Sequence, residues 1–237
     1  MINRLISLYW DIRYNLLSSK WKRSICNSRI DGLALMFHHV TDENIDINES
    51  CKCKISRFED VLREFISEGR KFVTVDEMMN IIERKDNTKF AVITFDDVPN
   101  NFYYNAYPIL KRLNLPFILF MTIDFIGKPG FLSKAQIEEL DKDVLCTIGA
   151  HTMSHPMLRK VDNIDYELCE SKRQLEAMLG HEVLYLAYPY GRQSSVSRKV
   201  MDQAKYAGYK CAFGTIQAPI TDKTTKNMYY LPRIVKN

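Results

Sequence analysis

The chain contains no run of apolar residues approaching the ~18 that a membrane-spanning helix requires. Glycine and proline are scarce, at 9 and 8 of 237 residues, which excludes a collagen-like or low-complexity polymer. Six cysteines in a chain of this length are too few for a disulfide miniprotein. Cys51 and Cys53 stand two apart with no second pair nearby, so the spacing favours ordinary thiols over a structural zinc knot. Internal repeats and interdomain linkers are missing. No basic stripe tracks through the body of the chain, which argues against nucleic acid as a partner.

What is present suits a single globular unit. Apolar residues make up 46% of the chain and charged ones 26%, enough apolar mass to offset the entropy of ordering a core. The length matches one large domain, since α/β barrels run to about 200–250 residues. The formal charge of +4 resides wholly in residues 1–24, where Arg4, Arg13, Lys20, Lys22 and Arg23 oppose only Asp11. Residues 25–237 are neutral overall and read as the domain itself. In the first segment Ile2, Leu5, Ile6, Tyr9, Ile12 and Leu16 recur at helical spacing and predict an amphipathic helix. Asp11 and Arg13 interrupt it, and no small-residue cleavage site follows, so it does not read as a signal peptide. The expectation is that it packs on the domain. A second reading lays it on a membrane surface through Trp10 and Trp21. Both readings place the protein in the cytoplasm, the second at the inner face of the membrane, with reduced thiols.

Short β-rich runs recur at 33–37, 90–95, 117–122, 146–150, 183–187 and 210–215. Between them lie segments of 3.6-residue periodicity at 58–68, 75–84, 103–113, 166–179 and 197–207. Near-continuous apolar strands alternating with helices imply a parallel sheet covered by helices, open or closed into a barrel. The polar stretches 41–54, 85–89 and 216–228 read as surface connections.

In such folds ligands gather at the carboxyl ends of the strands. Those positions hold His38 and His39, then Asp96 and Asp97, then His151 with His155, then Tyr188, Pro189, Tyr190 and Gly191. Four of the five histidines fall there. Adjacent carboxylates at the end of a buried strand repel one another, and a divalent cation is a common relief. His151 and His155 lie four apart, and Pro156 makes their segment a loop or a single turn. Two imidazoles and one carboxylate form a three-ligand set that leaves positions open for water and substrate. Each motif alone has a plainer reading, as a helix cap, a core histidine or a turn. Their joint order along successive strands is what points to a site.

The residues that carry this pattern resemble the polysaccharide deacetylases, the NodB-homology domain of carbohydrate esterase family 4. TFDD at 94–97, HTMSHP at 151–156 and AYPYG at 187–191 are similar to the family's first three motifs. LMFHHV at 35–40 resembles the branch that deacetylates poly-N-acetylglucosamine. The resemblance implies an α/β fold, a distorted (β/α)7 TIM-like barrel in one domain. It implies Asp96 as general base, Asp97, His151 and His155 as metal ligands, and the Tyr190 N–H in an oxyanion hole. Three positions depart from the usual pattern. Val98-Pro99 stands where Gly is common, so the loop must take another path. Ala187 replaces an Arg, for which Arg233 is the candidate substitute. No His follows His181, so the family's usual late acid is absent, and the resemblance to the poly-N-acetylglucosamine branch, where an N-terminal His fills that role, implies His38 as the acid with His39 as its alternative. His39, Tyr188 and Pro189 are expected to line the substrate subsite. The implied cofactor is a divalent cation, zinc first, with Co, Ni, Mn or Fe also compatible with the donors. The implied substrate is an N-acetylated carbohydrate. Two rivals stand beside this reading: a non-catalytic glycan-binding or assembly protein that keeps the fold and metal, and a metal-dependent amidase acting on a small C–N substrate.

Overall fold

The computed structural model describes residues 28–236; the amphipathic segment expected at 1–24, and Cys26, lie outside the described residues. The apolar runs form seven parallel strands: β1 (Asp31–Phe37), β2 (Lys89–Asp96), β3 (Phe117–Met121), β4 (Cys146–Ala150), β5 (Tyr185–Ala187), β6 (Cys211–Phe213) and β7 (Ile234–Val235). They are hydrogen-bonded in the order β7-β1-β2-β3-β4-β5-β6, and the short strand Lys71–Phe72 pairs with the start of β2. The C-terminal stretch seals the gap between the first and last of these. Leu231 bridges Phe213 of β6, while Ile234 pairs with Leu35 of β1. The result is the distorted seven-stranded barrel that the sequence led us to expect.

Helices α1 (Ile55–Ser67), α2 (Val75–Arg84), α3 (Tyr107–Leu113), α4 (Lys134–Asp141), α5 (Ser171–Leu179) and α6 (Arg198–Tyr206) connect and cover the strands. Thr74 with Glu77, and Ser133 with Gln136, form reciprocal capping boxes that start α2 and α4. Two of the expected helices open differently. Phe102–Ala106 and Tyr166–Glu170 are π-helical turns that run into α3 and α5. Helix α4 and strand β7 were not foreseen, because each is too short for its periodicity to register.

Alternation along the strands sorts the core into two layers. Leu33, Leu35, Phe37, Ala91, Ile93, Phe95, Phe117 and Leu119 pack outward under the helices, whereas Ala34, Phe90, Val92, Ile118, Phe120, Ala187 and Phe213 belong to a second, interior cluster. Gly149 on β4 makes room there: a Cβ on it would stand 2.6 Å from the Phe120 ring. Continuing the period of two beyond Phe90 and Val92 brings Thr94 and Asp96 inside as well. Asp96 is therefore an interior residue at the carboxyl end of its strand, 2% exposed. The stretch 41–54, expected as a surface connection, carries a buried exception: Lys52–Cys53 pairs with His39–Val40, and Cys53 lies in the core. Among the described residues, Cys53, Cys146, Cys169 and Cys211 are free thiols.

Candidate active site

A buried carboxylate needs a partner, and Asp96 has one. Arg233, fully buried, grips it with both ends of its guanidinium: Nη1 donates to Oδ1 at 2.6 Å and Nη2 to Oδ2 at 2.7 Å. Its Nε donates to the Gly214 carbonyl at 3.0 Å, Nη1 also reaches Thr94 Oγ1 at 3.1 Å, and the group lies over the Phe120 ring. Burial alone would push the Asp96 carboxyl upward. The charges of Arg233, His151 and His38 outweigh it and hold the group well below the ordinary carboxylate range. The repulsion expected between Asp96 and Asp97 is thus relieved on the Asp96 side by an arginine.

Asp97 turns the other way. It and Val98 adopt left-handed φ values of 59° and 46°, the second unusual for a β-branched residue. Loop 126–132 holds this path: Asn100 N–H donates to the Gly130 carbonyl at 2.8 Å, and Pro99 bridges Phe131. Thr152, His155 and Tyr190 are also left-handed, at φ 72°, 60° and 60°. Of the seven non-glycine residues with positive φ among those described, these five lie in the motif loops, and Lys85 and Asn114 cap helix ends. Such strain persists only where the surroundings overdetermine it, and it gathers at functional sites.

Asp97, His151 and His155 each offer one ligand atom within 4.8 Å of the others. Asp97 Oδ1 is 3.5 Å from His155 Nε2 and 3.8 Å from His151 Nε2. Bonds of about 2.0–2.2 Å in a tetrahedral site separate ligand atoms by roughly 3.4 Å, so the donors fit a divalent cation of zinc size. The tautomer fits too. His151 Nδ1 donates to the Ala187 carbonyl at 2.8 Å, which leaves the Nε2 lone pair facing Asp97. Burial lowers the His151 pKa, against the pull of Asp96 and Asp97, and favours the neutral, ligating form. His155 is braced by rings, with Phe125 stacked at 5.9 Å and Tyr190 edge-on at 5.0 Å.

The remaining expected residues divide. His38 Nε2 lies 4.0 Å from Asp96 Oδ2, on the same oxygen that lies 4.0 Å from His151 Nε2. Tyr190 is left with a free N–H among the described residues, while its carbonyl accepts from Thr215 Oγ1 at 2.9 Å. Gly191 follows at φ 55°, where a Cβ would stand 2.6 Å from Thr215, and its carbonyl is held by Tyr230. Tyr188 and Pro189 do not line a subsite. Both are buried, and the Tyr188 hydroxyl donates to the Tyr229 carbonyl at 3.0 Å. Tyr188 continues the alternation of β5 into the core, whereas the left-handed turn at Tyr190 breaks that alternation and leaves its side chain exposed. His39 is drawn aside from the Asp96 cluster by Asn101, its Nδ1 lying 3.0 Å from Asn101 Nδ2.

A family profile described as polysaccharide deacetylase matches residues 83–212, more than half of the chain. The chain belongs to the polysaccharide deacetylase family. The matched span contains Asp96, Asp97, His151, His155 and Tyr190, but neither His38 nor Arg233. Among curated relatives, the poly-β-1,6-N-acetyl-D-glucosamine N-deacetylase of Staphylococcus aureus is 28% identical over 86% of this chain and 78% of its own length. A polysaccharide deacetylase structure from Bacillus cereus superposes with a TM-score of 0.77 at 26% identity, covering 86% of this chain and 64% of that one. A Streptococcus pyogenes deacetylase shares the fold, with a TM-score of 0.77 at 24% identity over 86% of this chain and 92% of that one.

One residue of this deacetylase domain escaped the sequence reading. Glu167, 6% exposed in the second π-helical turn, accepts hydrogen bonds from the Met153 and Ser154 N–H groups, both at 3.0 Å, and from Ser154 Oγ at 2.7 Å. It holds the loop between His151 and His155 from behind. Its signal was faint, a lone acid on a helix that could equally face solvent. Glu167→Gln is expected to cost about 1 kcal/mol of stability and to weaken zinc binding about tenfold, read by thermal unfolding and competitive zinc titration. Unchanged zinc affinity would restrict Glu167 to packing.

Proposed function

We propose that the protein hydrolyses the N-acetyl group of an N-acetylhexosamine unit in a glycan or glycan precursor, releasing acetate. The observation that carries this reading is the Asp96–Arg233 pair set against the Asp97, His151 and His155 ligand atoms at one mouth of the barrel. The poly-N-acetylglucosamine deacetylase activity of the Staphylococcus aureus relative supports the substrate class. A divalent cation held by Asp97, His151 and His155, zinc being the first choice, would supply Lewis-acid activation of water and of the acetyl carbonyl.

The chain's own residues perform the rest. Asp96 Oδ2, kept ionised by Arg233, takes the proton as water attacks the carbonyl carbon. The Tyr190 N–H, free and directed by its strained turn, donates to the oxyanion that develops on the carbonyl oxygen. His38 Nε2, across from Asp96 Oδ2, gives a proton to the departing nitrogen, because an amine leaves poorly as an anion. The C–N bond breaks, and acetate and the free amino sugar result.

The test is acetate release by zinc-loaded protein from N-acetylglucosamine oligomers and from lipid-linked and nucleotide-linked N-acetylhexosamines. We expect release from at least one class and a loss of about 100-fold or more in His38→Ala, with a much smaller loss in His39→Ala. Loss confined to His39→Ala would move the acid to that residue. No release from any class by protein shown to hold zinc would overturn the reading in favour of a glycan-binding protein or a hydrolase of another bond.

A further inference from the structure

Two asparagines behind the site bracket one residue of the histidine loop. Val40 N–H donates to Asn101 Oδ1 at 3.2 Å, and Asn105 Nδ2 donates to the Val40 carbonyl at 2.8 Å. The first contact settles which way the Asn101 amide points, since a backbone N–H can only donate and must meet the oxygen. The Asn101 nitrogen is therefore the atom facing His39 Nδ1, 3.0 Å away. An amide nitrogen can only donate, so Nδ1 must accept. A neutral imidazole carries one proton, and here it must sit on Nε2. His39 is partly exposed and directly follows His38, whose Nε2 lies 4.0 Å from Asp96 Oδ2.

We propose that Asn101 is a positioning residue that locks His39 as the Nε2–H tautomer, making His39 a fixed neutral donor to an oxygen of the substrate, such as a sugar hydroxyl. The donor role rests on the proposed deacetylation; the tautomer does not. Proton transfer stays with His38, whose Nε2 faces Asp96. The adjacent histidines thereby divide the work, one donating a hydrogen bond and the other a proton. Asn105 holds Val40 from its other side and keeps Asn101 in register with the loop.

Long-range nitrogen–proton NMR of the imidazoles reads the tautomer in the zinc-loaded protein without substrate. We expect His39 with a bare Nδ1 and a protonated Nε2. Asn101→Asp keeps an acceptor for Val40 N–H but turns the second atom into an acceptor, so the His39 proton should move to Nδ1. With the substrate found by acetate release, Asn101→Asp should raise KM about tenfold and leave kcat within about twofold, the effect of one lost neutral hydrogen bond to bound substrate. His39→Gln, whose side-chain nitrogen stands near the place of Nε2, should restore most of the KM lost in His39→Ala. A protonated Nδ1 in the unaltered protein would overturn the tautomer assignment, even if Asn101→Asp failed to fold. A loss carried by kcat, or equal losses in His39→Gln and His39→Ala, would overturn the donor role and leave deacetylation itself standing.

Discussion

Asp96→Asn is expected to lower the rate of acetate release by about 10²- to 10⁴-fold while the protein still binds zinc. The two effects separate because Asp96 is not among the three residues proposed to hold the metal; its nearer oxygen lies 4.0 Å from His151 Nε2, and its own partner is Arg233. The asparagine keeps the volume and one acceptor for the guanidinium, but it cannot take a proton from water. His151→Ala should behave in the opposite way, losing zinc first and activity as a consequence. Equilibrium dialysis with zinc and an acetate assay on the two variants distinguish these outcomes. Full activity in Asp96→Asn would remove Asp96 from the role of base.

Arg233→Met is expected to destabilise the fold by about 3–5 kcal/mol at neutral pH, because it leaves a carboxylate buried in the barrel without a partner. The pH dependence carries the sharper signature. In the unaltered protein the Asp96 pKa is depressed below its unfolded value near ~3.9, so the pair contributes fully above that pH and is lost only as the pH falls toward the folded value. In Arg233→Met the burial that Arg233 had outweighed prevails, and the folded pKa rises above the unfolded one. The variant then gains stability as the pH falls through the raised value, and the gap to the unaltered protein narrows in acid. Urea unfolding at neutral and mildly acid pH measures this. A gap of the same size at both would mean that Arg233 stabilises through packing rather than through the Asp96 charge.

The barrel was legible because most of its strands are buried on both faces and so appear as unbroken apolar runs, LALMF and AVITF among them. Strand β7 was not, since two residues carry no period; its place is set by pairing with β1 across nearly the whole chain. The site was legible for the same reason as the strands, since polar residues directly after apolar runs must sit at one end of the sheet. Arg233 could be nominated as a substitute for the arginine that Ala187 replaces, and the structure seats it on Asp96 through a contact 137 positions apart. Tyr188 was misread because YPYG looks like a turn throughout, whereas β5 continues its alternation into the first tyrosine and buries it. Glu167 left only a faint mark in the sequence, and Asn101 and Asn105 none, because their task is to satisfy backbone groups of other loops, 13 and 14 positions away for Glu167 and 61 and 65 for the asparagines.

The two π-helical turns have a consequence for how this domain tolerates gaps. A π turn amounts to one residue more than the regular helix needs, and each residue of an α-helix advances the side chains by about 100°. Deleting a single codon within 102–106 or 166–170 would let the helix relax to regular geometry at little cost to its own hydrogen bonds. It would also rotate Asn101 away from His39, or Glu167 away from Met153 and Ser154, by roughly a quarter of a circle. In this chain, single-residue deletions at these two places would separate folding from function, and an alignment gap there would mark relatives in which the histidine loops are held by other means.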